Sequence, residues 1–143
     1  MEVVTKNDTK TRELGKRIAH QLKGGEILAL VGDLGSGKTT FVQGLAKGLG
    51  IKKRVISPTF IIMRHYPIAH FYHIDLYRLE KNIEHEIKGL GLEEIWGKQE
   101  NIVAIEWAEK IKDLLPKNTI WITFEQFDEN SRKIMIDKES ILV

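Results

Sequence analysis

The chain has 143 residues, 42% hydrophobic and 29% charged, with a net charge of only +2. That suits one soluble globular domain with a real core, and the charge is too small to argue for nucleic-acid binding by itself. With no cysteine, disulfides, thiolate metal sites and cysteine nucleophiles are excluded. No apolar run is long enough to span a membrane and Met1-Glu2-Val3-Val4 has no signal-peptide pattern, so the expected location is the cytoplasm.

Residues 8–22 predict a helix, capped by Asp8 or Thr9, with Leu14, Ile18, Ala19 and Leu22 on one apolar face. Lys23-Gly24-Gly25 turns into residues 26–31, a continuous apolar run fit for a buried parallel strand. Gly32-Asp33-Leu34-Gly35-Ser36-Gly37-Lys38-Thr39 follows, the G-x-x-x-x-G-K-T pattern of a phosphate-binding P-loop. Its glycines let the main chain approach a polyphosphate, and successive backbone N–H groups make an anion nest. Lys38 can reach the terminal phosphates, and the Thr39 hydroxyl can ligate Mg²⁺. Phe41, Val42, Leu45 and Leu49 then recur at helical spacing up to a stop at Gly50. Strand, glycine loop and helix come in the order that points a helix N-terminus at the phosphates.

Lys52-Lys53-Arg54 reads as a solvated basic loop. Ser57-Pro58-Thr59 is an extended or turn element, and residues 60–64 predict a strand. Residues 70–75 and 102–107 are two further strands, separated by short helices and loops over 76–98. Residues 108–115 predict a helix stopped by Pro116. Residues 119–124 and 133–137 predict two strands joined by the polar turn Asp128-Glu129-Asn130-Ser131. The expected architecture is a single α/β domain over residues 1–143, a three-layer P-loop NTPase fold. Its sheet is largely parallel and closes on a C-terminal antiparallel hairpin edge.

A P-loop site needs a carboxylate near the metal, often at the end of a neighbouring strand. Two strands end in acids, Ile102-Val103-Ala104-Ile105-Glu106 and His70-Phe71-Tyr72-His73-Ile74-Asp75. Glu106 would hold Mg²⁺ directly or through water; Asp75 would do the same or orient the attacking water. Ser57 and Thr59 occupy the connection that senses the γ-phosphate in many P-loop proteins. The five histidines make no metal-ligand pattern, and Trp96, Trp107 and Trp121 read as core or interface residues. Neither Asn-Lys-x-Asp nor D-x-x-G occurs, which argues against a Ras-type GTPase and for ATP.

Four separated segments resemble one family: the P-loop through Thr40, Ser57-Pro58-Thr59-Phe60, His73-Ile74-Asp75-Leu76-Tyr77-Arg78, and Glu106-Trp107-Ala108-Glu109. Their order is similar to that of the TsaE (YjeE) family, bacterial ATPases of tRNA threonylcarbamoyladenosine biosynthesis. The resemblance implies an ATP- and Mg²⁺-binding subunit that acts with the TsaB and TsaD proteins, and with tRNA indirectly through them. TsaD transfers the threonylcarbamoyl group to adenosine 37 of tRNAs reading codons that begin with A; ATP hydrolysis by this subunit supports repeated turnover. By position, the resemblance places Gly35, Ser36, Gly37, Lys38, Thr39 and Thr40 on the phosphates. It puts Thr39, Asp75 and Glu106 at the metal, with Lys38, Asp75 and Glu106 catalytic. Ser57 and Thr59 would form a switch-like loop, Asp8 and Thr11 would lie near the nucleotide, and Arg132 would stand where the family often has Gly-Arg. Two other functions fit a small P-loop chain, a metabolite kinase and a regulatory nucleotide-binding module. Phosphate transfer to a metabolite marks the first, and binding without turnover the second.

Overall fold

The computed structural model describes residues 1–56 and 62–142. Among these, seven strands pair into one sheet: β1 (Glu2–Thr5), β2 (Ile27–Val31), β3 (Met63–Tyr66), β4 (Phe71–Asp75), β5 (Ile102–Glu106), β6 (Ile120–Gln126) and β7 (Arg132–Asp137). Their order across the sheet is β1-β7-β6-β2-β5-β4-β3. The centre is parallel, with β2 between β6 and β5, and β4 outside β5. β2 and β5 are covered on both faces, which is why both are near-continuous apolar runs.

The expected α/β fold is present, and its hairpin is β6–β7, paired antiparallel. That hairpin is not the rim of the sheet. β1 pairs antiparallel with β7 outside it, and β3 pairs antiparallel with β4 at the opposite rim. The sheet is therefore a parallel centre flanked by antiparallel strands. Of the strand expected over 60–64, residues 60 and 61 lie outside the described residues, and the described strand begins at Met63.

Among the described residues, four α-helices complete the three layers: α1 (Asp8–Ala19), α2 (Lys38–Gly48), α3 (Ile83–Gly89) and α4 (Leu92–Trp96). Leu14, Ile18, Phe41 and Leu45 pack with Leu28, Leu30, Phe71 and Ala104 on one face. Ile87, Leu92 and Trp96 pack with Ala29, Ile74, Val103 and Ile105 on the other. Alternate residues of β2, β4 and β5 go to opposite faces because the strand period is two. On β4 this sets Phe71, His73 and Asp75 on the α1–α2 side; Glu106 falls there too, by the same parity as Ala104.

Asn7, rather than Asp8 or Thr9, caps α1. Its backbone is extended and its side chain accepts a hydrogen bond from Lys10 N at 2.9 Å. Asp8 is instead the first-turn acid, where it complements the helix dipole. Residues 108–115 do not form the expected α-helix. Ala108–Leu114 is 3₁₀ and interrupted at Ile111 (φ −128°). Its inward residues Ala108 and Ile111 are three apart, the spacing that a 3₁₀ helix aligns on one side. No described helix is long and apolar enough to cross a membrane.

Candidate functional site

The P-loop leaves the C-terminal end of β2 and runs into α2, beside the ends of β4 and β5. Register fixes the acids next to each other, since Asp75 is the direct partner of Glu106. This is the carboxyl edge of the parallel strands, where α/β sheets bind ligands. A cleft of about 380 Å³ opens there. It is lined by the loop from Leu34 to Thr40, by Asp75 and Glu106, and by Asp8, Tyr77, Trp107 and Arg132. A larger groove of about 860 Å³ lies along the β3 rim, but none of the P-loop residues or strand-end acids lines it.

Gly37 has φ +103° as α2 begins, and a Cβ there would lie 3.5 Å from the Arg132 side chain. At Gly32 the limit is space: a Cβ would sit 2.6 Å from the Phe124 carbonyl oxygen and 2.7 Å from Ser36 Oγ. Glycines at these positions thus let the loop fold tightly over the strand ends.

Lys38 is buried, with Nζ donating to the Gly32 carbonyl and lying 3.9 Å from the centre of the Trp107 ring. Burial lowers its pKa below the ordinary lysine value, while Glu106, Glu109, Asp75 and Asp33, in that order, pull it back up. Thr39 Oγ1 donates to Glu106 Oε1 at 3.1 Å, with Oε2 at 3.3 Å. On its other side Glu106 Oε2 is 2.5 Å from His73 Nε2, and His73 is fully buried. The carboxylate is thereby held between a helix hydroxyl and a strand imidazole. Asp75 Oδ1 accepts from Tyr77 N at 2.9 Å, which turns the chain at the end of β4.

Two polar atoms at the cleft lack partners. Ser36 Oγ and Arg132 Nε are buried and make no hydrogen bond. Arg132 itself is placed by its other nitrogens, Nη2 donating to the Gly35 carbonyl at 3.0 Å and Nη1 to the Ser131 carbonyl at 3.1 Å. Orphaned donors beside a glycine-rich nest fit an anionic ligand with several acceptor oxygens. The acids and the Thr39 hydroxyl are hard oxygen donors, which suit Mg²⁺ shared with a phosphate. No group of three His, Cys, Asp or Glu able to hold a metal occurs among the described residues. A Mg²⁺ ion that takes one or two carboxylates plus phosphate needs no such cage.

The cleft thus brings together Asp8, the loop from Gly35 to Thr40, Asp75, Glu106 and Arg132. Thr11 is elsewhere: it is buried, its hydroxyl 2.7 Å from Thr5 Oγ1 and donating to the Asn7 carbonyl at 3.3 Å, so it ties β1 to α1. Ser57 and Thr59 lie outside the described residues. Sequence reasoning missed His73 and Trp107. His73 carried a signal, because it is two residues before Asp75 on a strand and must share its face. Trp107 stands in the Glu106-Trp107-Ala108-Glu109 segment, but nothing local says where its ring goes: its left-handed backbone (φ +61°) turns the ring over Lys38 where an extended residue would continue the strand.

Known proteins resemble this chain in sequence and in fold. The family model described as threonylcarbamoyl adenosine biosynthesis protein TsaE matches residues 5–134. The tRNA threonylcarbamoyladenosine biosynthesis protein TsaE of Bacillus subtilis is 39% identical over 132 residues, covering 91% of this chain and 80% of its own. Its counterpart from Aquifex aeolicus is 39% identical over 139 residues, covering 94% of both chains. The crystal structure of Bacillus subtilis YdiB superposes with a TM-score of 0.79 at 33% identity, covering 95% of this chain and 83% of that one. A family model that runs from the end of β1 through the P-loop and both acids into β7 leaves one conclusion: the chain belongs to the TsaE family of tRNA threonylcarbamoyladenosine biosynthesis proteins.

Proposed function

We propose that this chain is a Mg²⁺-dependent ATPase of the cytoplasm. It would support a TsaB–TsaD pair in forming threonylcarbamoyl-N6-adenosine at position 37 of tRNAs reading codons that begin with A. The observation that carries the ATPase reading is the convergence of Lys38, Thr39, Asp75 and Glu106 on one cleft whose Ser36 hydroxyl is unpaired. Family membership supports the pathway, and the partner proteins follow from the resemblance noted in the sequence.

The residues divide the work by position. Backbone N–H groups of the loop and the N-terminus of α2 cradle the phosphates. Lys38 exchanges the Gly32 carbonyl for a terminal phosphate, and the Ser36 hydroxyl gains the partner it lacks. Arg132 closes the cleft from β7, where its unpaired Nε is a further donor. Thr39, Asp75 and Glu106 would hold Mg²⁺, which when bound neutralises charge on the β- and γ-phosphate oxygens. His73 keeps the Glu106 carboxylate aimed at Thr39. Asp75, the direct register partner of Glu106, either shares the metal or accepts a hydrogen bond from the attacking water. Ser57 and Thr59 would sense the γ-phosphate.

Phosphate release from ATP, measured alone and with purified TsaB–TsaD and tRNA, tests this reading. Release to water that rises with the partners is the expected result. Transfer of phosphate to a metabolite would make the chain a kinase. Tight binding with no turnover under every condition would make it a regulatory module.

A further inference from the structure

We infer that the groove between α1, α2 and the loop after α2 binds the phosphate backbone of RNA. This groove, about 720 Å³, is separate from the nucleotide cleft. Arg12 and Lys16 line it from α1, Lys47 from α2, and Lys52, Lys53 and Arg54 from the loop, with no acid on its wall. Taking these six cations from the chain's net charge of +2 leaves −4 for everything else. The charge of this chain is therefore strongly one-sided, a property that the small net value hides and that orients a polyanion toward this face.

Packing makes the concentration of charge. A Cβ at Gly44 would lie 2.0 Å from the Arg12 carbonyl oxygen, and one at Gly48 would lie 2.8 Å from that of Lys16. The two helix backbones approach so closely that Lys47 of α2 shares one groove with Arg12 and Lys16 of α1. Arg12 Nε donates to Gln43 Oε1 at 3.2 Å, and Gln43 Nε2 donates to the Val55 carbonyl at 3.3 Å. This chain of bonds ties the loop backbone at Val55, next to Arg54, to both helices. Like charges held together without a counter-ion repel, and a row of phosphates is the ligand that relieves them.

An acidic protein surface is the competing occupant, and the wall argues against it. Its apolar members Ile51 and Val55 are buried, and Lys16, Lys47, Lys52, Lys53 and Arg54 are exposed point charges. Protein interfaces are anchored by aromatic, apolar or Arg side chains in desolvated pockets. Among the described residues nearby, exposed apolar side chains stand only in the neighbouring groove along β3, which shares Lys52, Lys53 and Arg54 with this one, and the α1–α2 wall with Arg12, Lys16 and Lys47 carries none. Nucleic-acid backbones need no such anchor. The choice of tRNA as the probe rests on the functional reading above; the preference for a polyanion does not.

Binding of fluorescently labelled tRNA to the full chain, titrated with KCl, tests the proposal. With about four of the six cations on phosphates, the slope of log affinity against log salt should be about −3, a loss of roughly 60-fold between 50 and 200 mM. The Lys52→Glu/Lys53→Glu/Arg54→Glu variant should bind at least about tenfold more weakly and flatten the slope by about 2. Lys16→Glu/Lys47→Glu should weaken tRNA binding in the same sense while basal phosphate release stays at the parent rate. Lys98→Glu/Lys117→Glu, the same charge change outside the groove, should have far less effect. Absence of binding at low salt, equal losses in groove and control variants, or loss of TsaB–TsaD docking with tRNA binding intact would each overturn it. Failure here with ATPase activity preserved leaves the proposed function standing; loss of turnover by the parent chain strikes that function alone.

Discussion

Replacing Gly44 by alanine tests the packing that positions the P-loop helix. The new methyl carbon would stand 2.0 Å from the Arg12 carbonyl oxygen, 2.6 Å from its carbonyl carbon and 2.7 Å from its Cα. All three are backbone atoms of α1, so no side chain can swing aside. The helices must separate by about 1 Å to restore a normal contact, in an interior packed as densely as an organic crystal. Overpacking costs 1–3 kcal/mol when side chains can adjust, so about 3 kcal/mol is expected here. At about 2.1 cal/mol/K per residue the unfolding entropy is about 0.3 kcal/mol/K, which converts this into a Tm lower by about 10 °C. Gly89 provides the contrast. It is also helical, but nothing lies within 4 Å of a Cβ placed there. Gly89→Ala should stabilise by about 0.5–1 kcal/mol through the unfolded chain and helix propensity. Urea unfolding followed by circular dichroism gives both numbers. Because α2 begins at Lys38, Gly44→Ala should also weaken nucleotide binding, read by ATP titration of the folded variant. A Gly44→Ala midpoint equal to the parent's, or a shift of the same sign in both variants, would refute the close-approach argument.

Glu106→Gln and Asp75→Ala should leave ATP affinity within a few-fold, because the loop amides and Lys38 remain. Phosphate release with partners should fall by about 10²–10³-fold in each, the cost of losing one preorganised charge at a reacting centre; parent-rate turnover would make both acids ordinary strand ends. Lys38 is cationic only below a pKa that burial has lowered. As pH rises through that value toward 10.5, the folded state holds fewer protons than the unfolded chain. Stability contributed by this group therefore increases with pH, while its hold on phosphate decreases. The difference between parent and Lys38→Met, taken in both unfolding and ATP titrations, should show these opposite trends; parallel trends would contradict them. Asn7→Ala should cost about 1 kcal/mol as a lost helix cap, and Asp8→Ala less, with thermal unfolding as the measure.

Local chemistry was legible without coordinates. The P-loop, the apolar strand before it and the helix after it are contiguous, so their order alone predicts a helix N-terminus facing phosphates. Asp75 and Glu106 could be read as site acids because each ends a run of strand-like residues. The two helix errors are also local: Asn7 outcompetes its neighbours for the cap, and the three-residue spacing of Ala108 and Ile111 resembles a helical face. What tertiary structure decided depends on pairing between distant segments. Four residues, Glu2-Val3-Val4-Thr5, become a strand only because β7 offers them an edge. Thr11 is drawn to Thr5 across that same contact, away from the cleft. His73 becomes a partner of Glu106 because β4 and β5 align Asp75 with Glu106. Lys52, Lys53 and Arg54 are three charges in a loop until the close approach of α1 and α2 adds Arg12, Lys16 and Lys47 to the same groove. Sequence periodicity reports which face of its own element a residue occupies; which other face it meets is set by sheet register and helix packing, and these are long-range.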